Sequence, residues 1–294
     1  MRSILCFLSV ACAMTSVQAM AGDEPVEPGV RHVHFAAKPA ALRLRSGAVL
    51  VLAQDTGLPL FAKNVDQIMP IASITKLMTA MVLLDSGLPL LESIDIDKSD
   101  VDRRKGSRSK LKVGTSLMRA EMLKLALMAS ENRAAAALAR NFPGGTEAFV
   151  AAMNQKAVEI GMVNTHFEDP TGLTPDNVST AEDLAKMVAA AHGYPLIREY
   201  TTSDSFKIDS EDRRRHRLLS YVNSNRLVKS RQWDIGLSKT GYISEAGRCL
   251  VMQAMIADRP VIIVLLDSWG KLSRIADANR IKRWIEADLL RISG

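Results

Sequence analysis

Two runs near the C-terminal end, Cys249 to Met255 and Val261 to Leu266, are apolar at almost every position and flank a turn at Asp258-Arg259-Pro260. A strand with one face in water alternates polar and apolar residues, so near-continuous apolar runs point to strands covered on both faces. A third run of this kind, Gly47 to Gln54, lies at the other end of the chain. Leu58 to Ala62 follows it across an Asp55-Thr56-Gly57 turn as a hairpin partner. The sequence between these ends reads differently. Helices are predicted over Ile74 to Leu84, Glu121 to Met128, Arg133 to Arg140, Thr146 to Ile160 (closed by Gly161) and Leu184 to Ala191. A last amphipathic helix, Ile275 to Ile292, carries apolar residues at 278, 281, 285, 289 and 292. Its basic residues also suit a membrane surface, but its acids and its place after the strand pair favour packing on the sheet. The expected fold is therefore α+β: an antiparallel sheet built from both chain ends and flanked by helices, with an all-helical lobe inserted between them.

The first 40 residues stand apart. Arg2 is the only charge before Asp23, Ile4 to Val17 is mostly apolar, and Ala19-Met20-Ala21 is a small-x-small site. This is the layout of a cleaved secretory signal over residues 1–21, and it predicts export. The apolar run is shorter than the ~20 residues a spanning helix needs, so the mature chain is expected to have no transmembrane span. Residues 22–40 read as a linker and 41–294 as the folded domain. Cys6 and Cys12 leave with the signal; Cys249 stays alone in an apolar run and reads as buried. No sulfur-rich metal site is present, His32-Val33-His34 lies in the linker without an acidic partner, and neither a metal nor another cofactor is expected. The net charge of +6 is small for 294 residues and does not call for nucleic acid. Much of the local excess lies in Arg103, Arg104, Lys105, Arg108, Lys110 and Lys112, a solvated loop able to steer an anionic ligand.

Three short sets carry candidate chemistry. Ser73-Ile74-Thr75-Lys76 puts a hydroxyl and an amine three residues apart at a helix start, with Cβ atoms about 5–6 Å apart. The helix dipole favours negative charge there, and the apolar neighbours Ile71, Ala72, Leu77 and Met78 would depress the lysine pKa until it can accept the serine proton. The spacing is not distinctive by itself. It recurs at Ser107-x-x-Lys110 and Ser268-x-x-Lys271, where the serines are expected to be dispensable. Ser130-Glu131-Asn132 sits at a helix junction and can turn a proton-relaying hydroxyl and a carbonyl-binding amide into one cleft. Lys239-Thr240-Gly241, just before a strand, offers an ammonium and a hydroxyl to an anion, a glycine that allows close backbone approach, and a second positive charge to lower the pKa of Lys76.

In this order, the three sets resemble those of penicillin-binding proteins and class A β-lactamases. A class A β-lactamase also carries Glu-x-x-Leu-Asn, which this sequence lacks, and the Gly-x-Ser-x-Gly of α/β-hydrolases is absent. Ala72 to Ala80, Gly106 to Asn132 and His166 to Leu173 resemble the low-molecular-mass serine D-Ala-D-Ala peptidases, and the likeness extends from about residue 40 to 290. Ser130 to Ala135 and Cys249 to Gln253 are most similar to the endopeptidase type within that family. The resemblance implies Ser73, Lys76 and Ser130 as catalytic residues. It implies Asn132, Lys239, Thr240, Gly241 and Tyr242 as substrate-binding residues, with Ser73 and Tyr242 N–H groups forming an oxyanion hole. It further implies peptidoglycan stem peptides and cross-links as substrates, β-lactams as covalent inhibitors, and a periplasmic location. The expected reaction is DD-endopeptidase cleavage, with carboxypeptidase action of the same family as the alternative and a non-enzymatic peptidoglycan-binding protein as the rival of another class. Only residues 242–294 follow the last motif, which leaves no room for the extra C-terminal domain and anchor of the family's carboxypeptidases and favours the endopeptidase expectation.

Overall fold

A computed structural model describes residues 42–212 and 215–292. The predicted signal segment, the linker and the His32/His34 pair lie outside the described residues. The first hairpin is β1 (Ser46–Ala53) and β2 (Pro59–Lys63), followed by the short β3 (Met69–Pro70). A 3-10 turn, Ala72–Thr75, then leads into α1 (Lys76–Asp85). Strands β4 (Ser93–Asp95) and β5 (Ser116–Met118) pair with each other and bracket the basic loop. The helical lobe continues through α2 (Arg119–Met128), α3 (Asn132–Arg140) and α4 (Gly145–Glu159). After β6 (Val178–Ser179) come α5 (Ala181–His192) and α6 (Pro195–Thr202). The hairpin β7 (Ser205–Asp212) and β8 (Arg215–Val222) precedes β9 (Asp234–Ile243), β10 (Gly247–Ile256) and β11 (Arg259–Ser268), and α7 (Ser273–Ile292) closes the chain.

The main sheet has five strands in the order β2-β1-β11-β10-β9, each pair antiparallel, so β1 from one chain end lies beside β11 from the other. The strand-type runs are buried on both faces for a visible reason. Ala48, Leu50, Val251, Ile262 and Val264 pack into the core shared with the helical lobe. Their alternates Val49, Val51, Leu250, Met252, Ile263 and Leu265 pack under Ala278, Ile281 and Ile285 of α7. The last helix thus packs on the sheet. Among the described residues, no helix is long and apolar enough to cross a membrane. Cys249 is buried, and burial raises its thiol pKa to about 11, so it behaves as a small apolar side chain.

Most sequence-based boundaries shift by one to three residues. Two differences are larger. The helix expected from Ile74 begins as a 3-10 turn, Ala72–Thr75, whose first residue takes a left-handed backbone angle (φ 49°). Lys239-Thr240-Gly241 lies inside β9, an edge strand of the sheet, and not ahead of a strand. The glycines and polar residues of Asp234 to Gly241 blur the strand pattern, yet the whole run pairs with β10.

One buried carboxylate ties the two chain ends together. Asp277 of α7 accepts from the backbone N–H of Arg45 and Ser46 (2.9 and 2.8 Å) and from the Ser46 hydroxyl (2.7 Å), which also meets Ser268 Oγ at 2.7 Å. Ser268 is thereby accounted for as a structural residue of the β1–β11 seam. Asp277→Ala leaves buried donors unpaired, each costing about 1–3 kcal/mol. A chemical denaturation midpoint should fall correspondingly, and an unchanged midpoint would show that the seam is held by apolar packing alone.

Candidate active site

The Ala72–Thr75 turn, which carries Ser73, is gripped from both sides by backbone. A Cβ added to Gly172 would stand 2.0 Å from Ala72 O and 2.9 Å from Ser73 N; one added to Gly241 would stand 2.9 Å from Ile71 O and 3.2 Å from Ser73 N. Gly172, with φ +78°, also needs a conformation that side chains disfavour. The Ala72–Thr75 turn therefore fits between the loop before β6 and strand β9 only because both neighbours are glycine at the point of contact.

Lys76, the first residue of α1, is completely buried. Its Nζ lies 2.9 Å from Ser73 Oγ, 2.7 Å from Asn132 Oδ1 and 2.6 Å from the Thr171 carbonyl. Burial lowers its pKa to about 7, against the opposing pull of the Asp169 and Glu131 carboxylates. The partners decide what the neutral form can do. A neutral amine has two N–H bonds and one lone pair. The amide oxygen of Asn132 and the carbonyl of Thr171 can only accept, so they take the two N–H groups. The lone pair is left to the Ser73 hydroxyl, the one neighbour able to donate.

A second lysine repeats the pattern one strand away. Lys239 Nζ donates to Ser130 Oγ (2.9 Å) and to the Thr240 carbonyl (3.0 Å), and it too is buried. Its pKa is pushed well down by burial, then by Lys76 and Arg274. Burial is the main cause at both lysines, and the repulsion between the two ammonium groups disfavours charge on the pair. Ser130 sits between α2 and α3 with φ +60°, a strained angle for a serine that aims its hydroxyl at Lys239 while Asn132, two residues on, reaches Lys76. Thr240 Oγ1 shares a hydrogen bond with Ser224 Oγ (2.8 Å). Beside this cluster lies a 650 Å³ cavity lined by Asn132, Asp169, Thr171 and Leu173 on one side and residues 97–104 on the other.

A comparison of the whole chain with known proteins agrees with this geometry. The family model described as D-alanyl-D-alanine carboxypeptidase matches residues 34–270. The chain belongs to this family. It is 44% identical to the D-alanyl-D-alanine endopeptidase of Pseudomonas aeruginosa over 96% of this chain and 88% of that protein. It is 45% identical to the D-alanyl-D-alanine endopeptidase of Escherichia coli over 83% of this chain and 78% of that one. Among solved structures, a Streptomyces DD-transpeptidase matches with a TM-score of 0.78 and 28% identity over 83% of this chain and 98% of the other. The family assignment makes the chain a serine-type D-Ala-D-Ala peptidase with the penicillin-binding type of fold.

In this D-Ala-D-Ala peptidase, the structure brings together Ser73, Lys76, Ser130, Asn132, Lys239, Thr240 and Gly241, with Tyr242 next along β9. It adds residues that spacing did not single out. Asp169 accepts from the N–H groups of Thr171 (2.5 Å), Gly172 (2.6 Å) and Thr174 (2.8 Å), curling the loop so that the Thr171 carbonyl meets Lys76. Asn177 bridges that loop to the turn that carries Ser73 through Thr75 Oγ1 (2.9 Å) and the Ile71 N–H (3.1 Å). Thr79 of α1 donates to the Pro170 carbonyl (2.7 Å). Asp169, Thr171 and Gly172 fall in the His166 to Leu173 stretch, Asn177 lies just after it and Thr79 lies in Ala72 to Ala80, and the family likeness of those stretches was the only signal for them. Arg274 of α7 donates to the Gly241 and Cys249 carbonyls, at 2.8 and 3.0 Å, and braces β9 from behind. Ser107 also joins the site, where the sequence reading set it aside: its Oγ accepts from Asn132 Nδ2 at 2.9 Å, which fixes the amide so that its oxygen faces Lys76.

Gly172→Ala tests the grip on the turn that carries Ser73. The new methyl cannot coexist with Ala72 O, so the turn carrying Ser73 must move. Displacement on the order of 1 Å costs about 100-fold in rate. Labelling of the purified, folded variant by a fluorescent penicillin should slow by at least that order, and labelling at the unmodified rate would refute the packing argument.

Proposed function

We propose that this chain is an exported, periplasmic DD-endopeptidase that cuts D-alanyl cross-links of peptidoglycan through an acyl-enzyme on Ser73. The observation that carries the chemistry is the hydrogen-bond geometry at Lys76. Its lone pair, when neutral, has only the Ser73 hydroxyl to face, and its pKa of about 7 makes the neutral form abundant at physiological pH.

The steps follow from the placement of these groups. Ser73 Oγ attacks the carbonyl of the D-Ala residue while Lys76 takes its proton. The developing oxyanion sits between the Ser73 and Tyr242 N–H groups, each such donor being worth about 3–4 kcal/mol. Ser130, hydrogen-bonded to Lys239, delivers a proton to the leaving amine. A carboxylate beyond that amine binds at Lys239 and Thr240, and its arrival favours the charged form of Lys239 that burial otherwise disfavours. Asn132 holds the substrate carbonyl side, with its amide already oriented by Ser107 and Lys76. Water then releases the acyl group from Ser73.

The preference for a cross-linked substrate is supported by the two relatives named D-alanyl-D-alanine endopeptidases, each more than 40% identical. The alternative, removal of a terminal D-Ala, uses the same acyl-enzyme and differs only in the leaving group. Purified enzyme should split cross-linked muropeptide dimers faster than it releases D-Ala from monomeric pentapeptide, and a covalent penicillin adduct should disappear in Ser73→Ala. Rapid D-Ala release with dimers left intact would establish the carboxypeptidase alternative, and an adduct retained in Ser73→Ala would remove Ser73 as nucleophile.

A further inference from the structure

The basic loop between β4 and β5 reaches across the site. Asp102 fixes its backbone by accepting from the N–H groups of Arg104 (2.8 Å), Lys105 (3.0 Å) and Ser107 (2.8 Å). One end of this stretch touches the helical wall through Ser107 and Asn132. Lys110 ties the loop to β8, donating to the Ser220 carbonyl at 2.6 Å. Just before Ser107, Lys105 forms an ion pair with Glu245 in the turn between β9 and β10, and Ser244 Oγ donates to the other oxygen of Glu245 at 2.6 Å. The pair therefore joins the wall that carries Asn132 to the wall that carries Lys239-Thr240-Gly241.

Its position along β9 says which end of the substrate it meets. Lys239 and Thr240 form the anion site on the leaving-group side, Gly241 lies against Ser73 N, and Ser244 and Glu245 follow on the opposite side. A substrate laid along β9 thus has its acyl-donor half directed toward Lys105 and Glu245. That half of a peptidoglycan stem peptide carries free carboxylates. Both members of the ion pair are partly exposed, with 29% and 40% of their side chains accessible, so the contact contributes little and exchanges readily. Arg103, Arg104 and Arg108 lie on the same loop and add positive charge, while the acid nearest to Lys105 in sequence, Asp102, is occupied with backbone N–H groups.

We propose that Lys105 is a substrate-binding residue that takes a carboxylate of the acyl-donor stem peptide, with Glu245 as an internal stand-in that occupies it until substrate arrives. This inference rests on the reading of the site as a D-alanyl peptidase, and it extends that reading to how the longer half of the substrate is recognised.

Two muropeptide dimers make the test, one with free stem carboxylates and one with those carboxylates amidated. Lys105→Ala should raise KM for the free-carboxylate dimer about tenfold, the loss expected for a charge-assisted hydrogen bond, with kcat little moved. It should leave KM for the amidated dimer where it was. Glu245→Gln, which removes the competitor and keeps the shape, should lower KM for the free-carboxylate dimer. Equal changes on both dimers, no change on either, or a rise in KM with Glu245→Gln would overturn the proposal and leave the pair as a structural brace. If the unmodified enzyme is labelled on Ser73 by penicillin but does not cut dimers, the endopeptidase reading fails. The same comparison is then made on free and amidated pentapeptide, which presents the same acyl-donor half.

Discussion

Burying an ammonium group is the constraint around which this molecule is arranged. Lowering the pKa of Lys76 from 10.5 to about 7 corresponds to roughly 5 kcal/mol of disfavour for its charged form. In the unfolded chain the same lysine titrates at its ordinary value. Between about pH 7 and 10.5 the unfolded state therefore binds more protons, and this residue makes the fold more stable as pH rises through that window. At neutral pH and below it is a cost. A fold carries such a cost only where the surroundings hold the group in place, and three separate parts of the chain do so here: the α1 start, the α3 start with Asn132, and the loop at Asp169 to Thr174. Asp169 and Glu131 moderate the cost by drawing the pKa back up, which leaves the amine poised near neutrality.

Two of the six described non-glycine residues with positive φ lie at the site. Ala72 and Ser130 are both non-glycine residues in left-handed backbone conformations, and each precedes or carries a hydroxyl of the site. Ala72 opens the turn that stands Ser73 between Gly172 and Gly241, and Ser130 breaks α2 from α3. The stability for holding these angles comes from the sheet beneath, whose strands are apolar on both faces, and from the Asp277 seam that joins the two chain ends.

How much of this the sequence disclosed depended on the kind of signal. Apolar runs identified β1, β10 and β11 because double-sided burial leaves a continuous pattern, and α7 because its buried positions recur with helical period. Strand β9 was obscured because an edge strand that lines a cleft carries Lys239, Thr240 and two glycines where a core strand has aliphatics. Ser73, Lys76, Ser130, Asn132 and Lys239 were legible as residue types at fixed spacing. The loop residues that complete the site were not: Asp169, Asn177 and Thr171 act through backbone N–H and carbonyl groups, and such bonds impose no spacing on the side chains. Ser107 was set aside because its Ser-x-x-Lys spacing made it look like a coincidence, whereas its role is to hold Asn132 across a separation in sequence of 25 residues.

The electrostatic state of Lys76 is the claim on which the rest turns, and it can be observed directly. Lysine side chains labelled with carbon-13 at Cε report their own titration by NMR, and the Lys76 signal is assigned by its loss in Lys76→Arg. A midpoint near pH 7 is required, with the amine neutral above it and able to accept the Ser73 proton. A midpoint near the ordinary lysine value of about 10.4 would mean that Lys76 stays cationic at physiological pH and cannot be the base.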